Sequence, residues 1–313
     1  MCRLSIIVPY DRDEAAFETT LVSVLENRPE FCEVIVAHDG GYSDPFDLSD
    51  EVRFVVAESG DQVSLVRAAV AAAMGRVVHV LCGGARATED WTEEPVSLFE
   101  QTDLACVAPV IRDLSAGGRI VAAGWRDTSR GLRRPIAAGA KEVGRREMAT
   151  VEGVYLFASF WRRSTLDNLM QLAIEQDAGV ADYAWAATVL RAGWRCRVAT
   201  ESTVTASPQL IWPSGSCVAA AQTMQQIRRS LRGEGLLSTC ISAATTIASG
   251  PLAGKSWLEA QGRLVCSLGL NGRGRELAKQ IRSLSKTMGP DAAQATILKI
   301  PTASPATTHR RAA

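Results

Sequence analysis

The chain predicts an α/β fold, an open mixed sheet flanked by helices and followed by a helical C-terminal region. Three observations carry this. Four short aliphatic runs, at 4–9, 34–37, 52–56 and 77–81, are bounded by turn residues, as strands buried on both faces are. Helical periodicity fills two of the gaps between them. From about Gln222 onward the strand signals give way to helix-like segments.

The elements follow in order. Leu4-Ser5-Ile6-Ile7-Val8-Pro9 is an apolar run ended by proline, a buried parallel strand. Residues 13–28 place Phe17, Leu21, Val24 and Leu25 on one helix face. Val34 to Ala37 is the second strand, stopped by His38-Asp39-Gly40-Gly41, and Val52 to Val56 is the third. Gln62 to Met74 reads as a helix with Gly75 as its stop. Val77 to Leu81 is a fourth strand that runs into Cys82-Gly83-Gly84, and Thr88-Glu89-Asp90-Trp91 reads as a helix start. Such an order makes a sheet whose ligands are expected at the carboxyl ends of the strands. Leu104 to Ile111 is a fifth strand. Arg112 to Arg146 is rich in glycine and arginine and reads as a long loop outside the core. Val151 to Phe160 returns to the sheet, and helices are expected at 164–176 and 182–191. Further helical segments stand at 222–233, 236–249, 255–268 and 273–288, and the tail from about Pro290 has a disordered composition. The implied division is a body at 1–205, a helical region at 206–289 and a tail at 290–313.

Composition narrows the class. Apolar content of 47% and charged content of 22% are those of an ordinary globular protein, and 313 residues can bury a sizeable core. The 34 basic and 34 acidic residues cancel, so no global field favours nucleic acid. They are unevenly placed: residues 1–200 hold 21 basic and 29 acidic side chains, and residues 201–313 hold 13 and 5. A body of charge −8 thus carries an appendage of +8. Its arginines are either solvated helix faces or contacts for an anionic partner such as a membrane surface or a phosphorylated acceptor. The eight cysteines form no CxxC pair and several sit in apolar runs, which suits reduced core thiols. Met1-Cys2-Arg3 leads into the first strand with no leader, so a cytoplasmic location is expected. Gly235 to Gly254 is uncharged but only weakly apolar, which favours a buried helix over a membrane span.

Four segments, taken together over about residues 3–205, resemble glycosyltransferase family 2, the inverting nucleotide-sugar transferases of the GT-A fold. They are Ile6-Ile7-Val8-Pro9-Tyr10; Ile35 to Gly41 with Ser43-Asp44; Val107 to Asp113 through Gly118-Arg119-Ile120 to Ala123-Gly124; and Val151 to Val154 through Arg162-Arg163 to Asp182 and Ala192-Gly193-Trp194. The resemblance implies a GT-A fold, a nucleotide-sugar donor and a glycan or lipid-linked acceptor. It places Pro9, Tyr10 and Asp39 beside the nucleoside, Arg67 on the helix after the third strand, and Asp182 where the family's catalytic base stands.

The departures from the family are equally informative. One of the two acids that close its second strand is His38 here, and Arg67 is followed by Ala68 rather than asparagine. The metal-binding Asp-x-Asp corresponds to Cys82 to Gly84, which holds no carboxylate, and the Glu-Asp pair corresponds to Ala181-Asp182. No metal ligand set and no cofactor beyond the donor are therefore expected. Arg86 is the candidate substitute for the cation, because guanidinium is always charged and grips phosphate oxygens in pairs. Arg126, Arg130, Arg133 and Arg134 offer the same chemistry from the long loop. Glu89 and Asp90 read as first-turn acids that complement a helix dipole.

Each candidate has a plainer role beside the functional one. Asp182 is a general base or a helix N-cap. Asp39 is a nucleoside ligand or an Asx-turn residue, and His38 is foremost a turn residue. Three functional readings result: an active inverting transferase without the usual metal motif; a catalytically inactive GT-A domain that binds a nucleotide, a glycan or a partner; and another nucleotide-binding α/β enzyme such as a nucleotidyltransferase. No Walker loop or GxGxxG turn follows Val8 or Ala37, which excludes the common ATPase and dinucleotide signatures. Peripheral membrane contact is expected through Arg228, Arg229 and Arg232 on one helix and Arg275, Lys279, Arg282 and Lys286 on another.

Overall fold

The computed structural model describes residues 3–128, 131–174, 177–211, 217–249, 255–267 and 272–290. The N-terminal half opens with β1 (Leu4–Pro9), α1 (Glu14–Glu26), β2 (Cys32–His38), β3 (Val52–Val56), α2 (Gln62–Ala72) and β4 (Val77–Leu81). Then come β5 (Arg86–Ala87), α3 (Glu93–Leu98), β6 (Leu104–Asp113), β7 (Arg119–Ala122), β8 (Trp125–Thr128), β9 (Gly131–Pro135) and α4 (Arg145–Met148). The body closes with β10 (Ala158–Arg162), α5 (Arg163–Leu169), α6 (Ala178–Arg191) and β11 (Arg195–Thr205). Five helices follow: α7 (Pro208–Ile211), α8 (Cys217–Arg232), α9 (Leu236–Ser249), α10 (Lys255–Ser267) and α11 (Gly272–Leu284).

Among the described residues the main sheet has nine strands in the order β3-β2-β1-β4-β10-β6-β11-β5, with β7 added to β6. The first four strands are mutually parallel, and β10 runs antiparallel to both β4 and β6. All residues of β1 and β4 are buried, as continuous aliphatic runs covered on both faces must be. The connection after β4 packs on α1. There the amide of Gly84 donates to the Ala16 carbonyl at 2.8 Å, and Thr20 Oγ1 donates to the Ala85 carbonyl at 2.7 Å.

Several sequence expectations need correction. The segment 112–146 is not a loop outside the core. It folds into β7, the β8–β9 hairpin and α4, and it buries Ile120, Ala123, Ile136 and Ala137 against Val110 and Val151. Thr88 does not start a helix: Arg86 and Ala87 pair with β11, Asp90 takes φ +54°, and α3 begins at Glu93 with Glu93 and Glu94 as its first-turn acids. Gly75 is not a left-handed stop for α2. A Cβ there would lie 2.6 Å from the backbone nitrogen of Ser5, so the glycine permits a close approach to β1. Residues 151–157 form no regular strand: Gly153 bridges Trp125 of β8, Tyr155 bridges Ala158, and pairing in the main sheet begins at Ala158.

The C-terminal helices pack on the body through α6, which meets both α8 and α11, and through β9, which meets α8 and α9. Here too the charge pattern differs from the exposed arginine stripe expected for α8. Arg228 is buried and bonds to Glu234, and Arg232 reaches Glu152 at 3.7 Å and Asp127 at 4.0 Å. Arg228 thus pairs within the helical region and Arg232 with acids of the body, so neither forms the solvated face or the contact for an outside anion that the sequence suggests. Arg275, Lys279 and Arg282 of α11 and Lys286 just after it are exposed, while Leu277, Ala278 and Ile281 on the other face of the helix are buried. α9 is half-buried rather than buried, with Leu237 and Ile241 exposed, and no helix among the described residues is long and apolar enough to cross a membrane. The tail expected to be disordered lies outside the described residues.

Candidate active site

The carboxyl ends of β1, β2 and β4 bring together two groups of side chains. The first is aromatic. Pro9 ends β1, and Tyr10 follows it with its ring edge-on to Phe17 at 5.2 Å and tilted against Tyr42 at 4.9 Å. Tyr42 stacks on Phe54 of β3 at 5.8 Å, and its buried Oη has no hydrogen-bond partner. Sequence reasoning missed Tyr42 and Phe54, although an aromatic in the turn after β2 and another inside β3 were the available signal. His38 lies beside them, and its Nδ1 accepts from the Gly40 amide at 3.2 Å, which makes it the turn residue expected.

Asp39 sits at the mouth of this group. Its Oδ1 accepts from the Gly41 amide at 3.1 Å, an Asx turn, while Oδ2 takes the Arg12 guanidinium in an ion pair. That guanidinium, with help from the Gly41 amide, holds the carboxyl below its usual range. A side chain at Gly60 would come within 2.8 Å of Oδ2, so the glycine leaves room for the pair. Asp39 is thus both a turn residue and an anion already engaged.

The second group surrounds Asp182. Sequence reading left open a helix cap, but the N-cap of α6 is Asp177, whose side chain accepts from the Val180 amide at 3.0 Å. Asp182 lies in the second turn with its carboxyl pointed back at the sheet. Oδ1 accepts from the Leu156 amide at 2.7 Å, and Oδ2 faces Nη1 of Arg133 at 2.7 Å. The side chain is only 6% exposed. Burial disfavours its charge and raises the carboxyl from 3.8 to about 7, and the Arg133 cation and the Leu156 amide limit the rise. The site also depends on Gly179: a Cβ there would lie 2.6 Å from Nη2 of Arg133.

Leu156 links Asp182 to the end of β4. Its carbonyl accepts from the Cys82 thiol at 3.8 Å, and the Cys82 amide donates to the neighbouring Phe157 carbonyl at 2.9 Å. Gln62 of α2 also points at the Cys82 sulfur. Leu156 thus joins the position after β4 to Asp182. That position does not fit a hard divalent cation, which needs oxygen ligands. Burial pushes the Cys82 thiol upward, away from the thiolate, and no group of three or more His, Cys, Asp or Glu side chains among the described residues is placed to hold a metal ion.

The remaining candidates lie elsewhere. Arg86 is exposed on β5 at the far edge of the sheet, drawn there by pairing with Thr205. Arg133 of β9, not Arg86, is the arginine beside the carboxylate. Arg67 is partly exposed on α2, and its buried Nε has no partner. Arg126 bonds to Thr150, and Arg130 lies outside the described residues. Leu210 of α7 covers Gly84, where a Cβ would come within 2.4 Å of its Cδ1. A cavity of about 800 Å³ beside Arg3, Asn27, Phe31 and Asp90 lies at the amino end of β1. Ligands of open α/β sheets gather at the opposite end, so the carboxyl-end cluster is the better candidate site.

No protein-family model matches the sequence, and no curated protein does. Solved structures do. The chain is similar to GalNAc-T7, crystallised with UDP, GalNAc and Mn2+, at 12% identity and a TM-score of 0.51, over 75% of this chain and 52% of that one. It thus spans about half the length of that relative. It is also similar to residues 1–349 of S. aureus TarS, at 12% identity and a TM-score of 0.51, over 95% of this chain and 91% of that one. The same TarS fragment in complex with UDP-GlcNAc matches at a TM-score of 0.50. At such identity the likeness speaks of architecture alone. The chain has the GT-A glycosyltransferase fold.

Proposed function

We propose that the chain transfers a sugar from a nucleotide-sugar donor to a hydroxyl of a glycan or lipid-linked acceptor, with inversion and with Asp182 as the general base. The observation that carries this is a buried carboxyl raised to about 7, beside the end of β4 and facing Arg133. A general base works best when its pKa lies near the working pH. The acceptor oxygen attacks the anomeric carbon, its proton passes to Asp182, and the bond to the diphosphate breaks, releasing the nucleoside diphosphate. The Arg133 guanidinium supplies the charge that steadies the departing phosphate oxygens. Pro9, Tyr10 and the Tyr42–Phe54 pair offer the base of the nucleotide an aromatic wall, and Asp39 offers it an acceptor once Arg12 moves. The basic face of α11 is suited to an anionic membrane surface, which would hold the chain near a lipid-linked acceptor.

A catalytically inactive binding module is the second reading. It is favoured by one observation: the seats are filled, with Arg12 on Asp39 and Leu210 on Gly84. Calorimetry with UDP and GDP, with and without manganese, tests nucleotide binding. Affinity should be indifferent to the cation, and a strong rise on adding manganese would refute the metal-free site. Proton NMR of the product's anomeric configuration tests the chemistry, and a retained configuration would exclude a single displacement by the acceptor hydroxyl with Asp182 as its base.

A further inference from the structure

The hairpin that presents Arg133 is held from outside the body. In β9 the Leu132 amide points away from β8 and donates to Oε1 of Glu259, on α10, at 2.7 Å. Glu259 is fixed in turn by Arg263, one helical turn on and wholly buried, at 3.0 Å. In β8 the Thr128 carbonyl accepts from Arg228 of α8 at 3.3 Å. Asp127 joins the two sides: it accepts from the Arg133 amide at 3.2 Å and from Tyr183 Oη at 2.6 Å, and Arg232 of α8 stands 4.0 Å away. Arg133 itself takes φ +46°, a conformation that a residue with a side chain keeps only when its neighbours impose it. Its buried Nε has no partner, while Nη1 meets Asp182, the guanidinium carbon lies 5.9 Å from the centre of the Tyr155 ring, and the missing side chain of Gly179 leaves room for Nη2.

We propose that the C-terminal helices are part of the catalytic apparatus, with Glu259 as a positioning residue that fixes β9 so that Arg133 faces Asp182. The functional consequence rests on the assignment of Asp182 as the base. Beside the burial that raises its titration, the charged groups that act on it are Arg133 from β9 and Asp177 at the start of its own helix; the Cys82 thiol beyond Leu156 is itself raised by burial and stays neutral. The first favours the ionised form and the second disfavours it, so loss of Arg133 from its place moves the titration upward.

The experiment compares two double variants in which Arg263→Met removes the buried cation, so that neither leaves an unpaired charge. Glu259→Ala/Arg263→Met lacks an acceptor for the Leu132 amide, and Glu259→Gln/Arg263→Met keeps one. The Asp182 carboxyl carbon is titrated by NMR in both, in the wild type and in Arg133→Gln. Arg133→Gln should titrate above the wild type, the alanine double variant should follow it upward, and the glutamine double variant should stay with the wild type. Two double variants that both titrate with the wild type would overturn the proposal. So would a wild-type Leu132 amide that exchanges with solvent at an unprotected rate, a reading that requires no variant to fold. Absence of sugar transfer with these titrations intact would remove the base assignment and leave the coupling standing.

Discussion

Replacing Asp182 by asparagine should change how stability depends on pH, by an amount set by the structure. The carboxyl rises from 3.8 to about 7 because it is buried, a difference of about 4 kcal/mol in the cost of ionising it. Between these values the native chain keeps a proton that the unfolded chain has released, so stability falls as pH rises through the window and levels off above 7. The substituted amide cannot titrate. It still accepts from the Leu156 amide, but it leaves Arg133 without its counter-charge, an offset that is the same at every pH in the window. The stability of Asp182→Asn minus that of the wild type should therefore climb by about 4 kcal/mol between pH 4 and pH 8. Urea unfolding followed by tryptophan fluorescence measures it, since the chain holds seven tryptophans. Parallel curves, with a constant difference across the window, would show that Asp182 titrates normally and that its burial has been misread.

Three further outcomes are expected. Gly153→Ala places a Cβ 2.4 Å from the buried ring of Trp125 and 2.8 Å from Ala186, so urea unfolding should show a loss of about 1–3 kcal/mol, and a change within about 0.5 kcal/mol would contradict the packing. Leu210→Ala uncovers Gly84 and should tighten UDP binding by roughly three- to tenfold in calorimetry, about 1 kcal/mol; unchanged affinity would place the donor elsewhere. In flotation assays the chain should bind anionic vesicles at low salt, and reversing the charges of Arg275, Lys279, Arg282 and Lys286 should abolish this, at about 1 kcal/mol per residue. Failure to float at low ionic strength would leave α11 a solvated face.

The parts of the fold legible in the sequence are those whose signal is local. Leu4 to Pro9 and Val77 to Leu81 are apolar on both faces save for Ser5 and His79, the pattern of a central strand covered on both sides. The β8–β9 hairpin was hidden because Arg126, Asp127, Arg133 and Arg134 make it read as polar, although Trp125 and Ile136 anchor it in apolar surroundings. Asp182 was visible as a residue, but its chemistry was not. It depends on an amide 26 residues away and a guanidinium 49 residues away, which no spacing rule brings together. Arg86 was favoured over Arg133 because it follows β4 in sequence, yet pairing of Arg86–Ala87 with β11 takes it to the sheet edge. The arginines of α8 looked like an exposed stripe because helical spacing cannot show which face meets Asp127 and Glu152.

Whether Asp182 takes the acceptor's proton is decided by the rate of nucleoside diphosphate release from a donor and acceptor mixture between pH 5 and pH 9. An ionised base is required, so the rate should rise with pH through a midpoint near 7 and then level off. In Asp182→Asn this limb should vanish and the rate should fall by about 10²- to 10⁴-fold. A profile without that limb, or an asparagine variant that turns over like the wild type, would rule Asp182 out as the base.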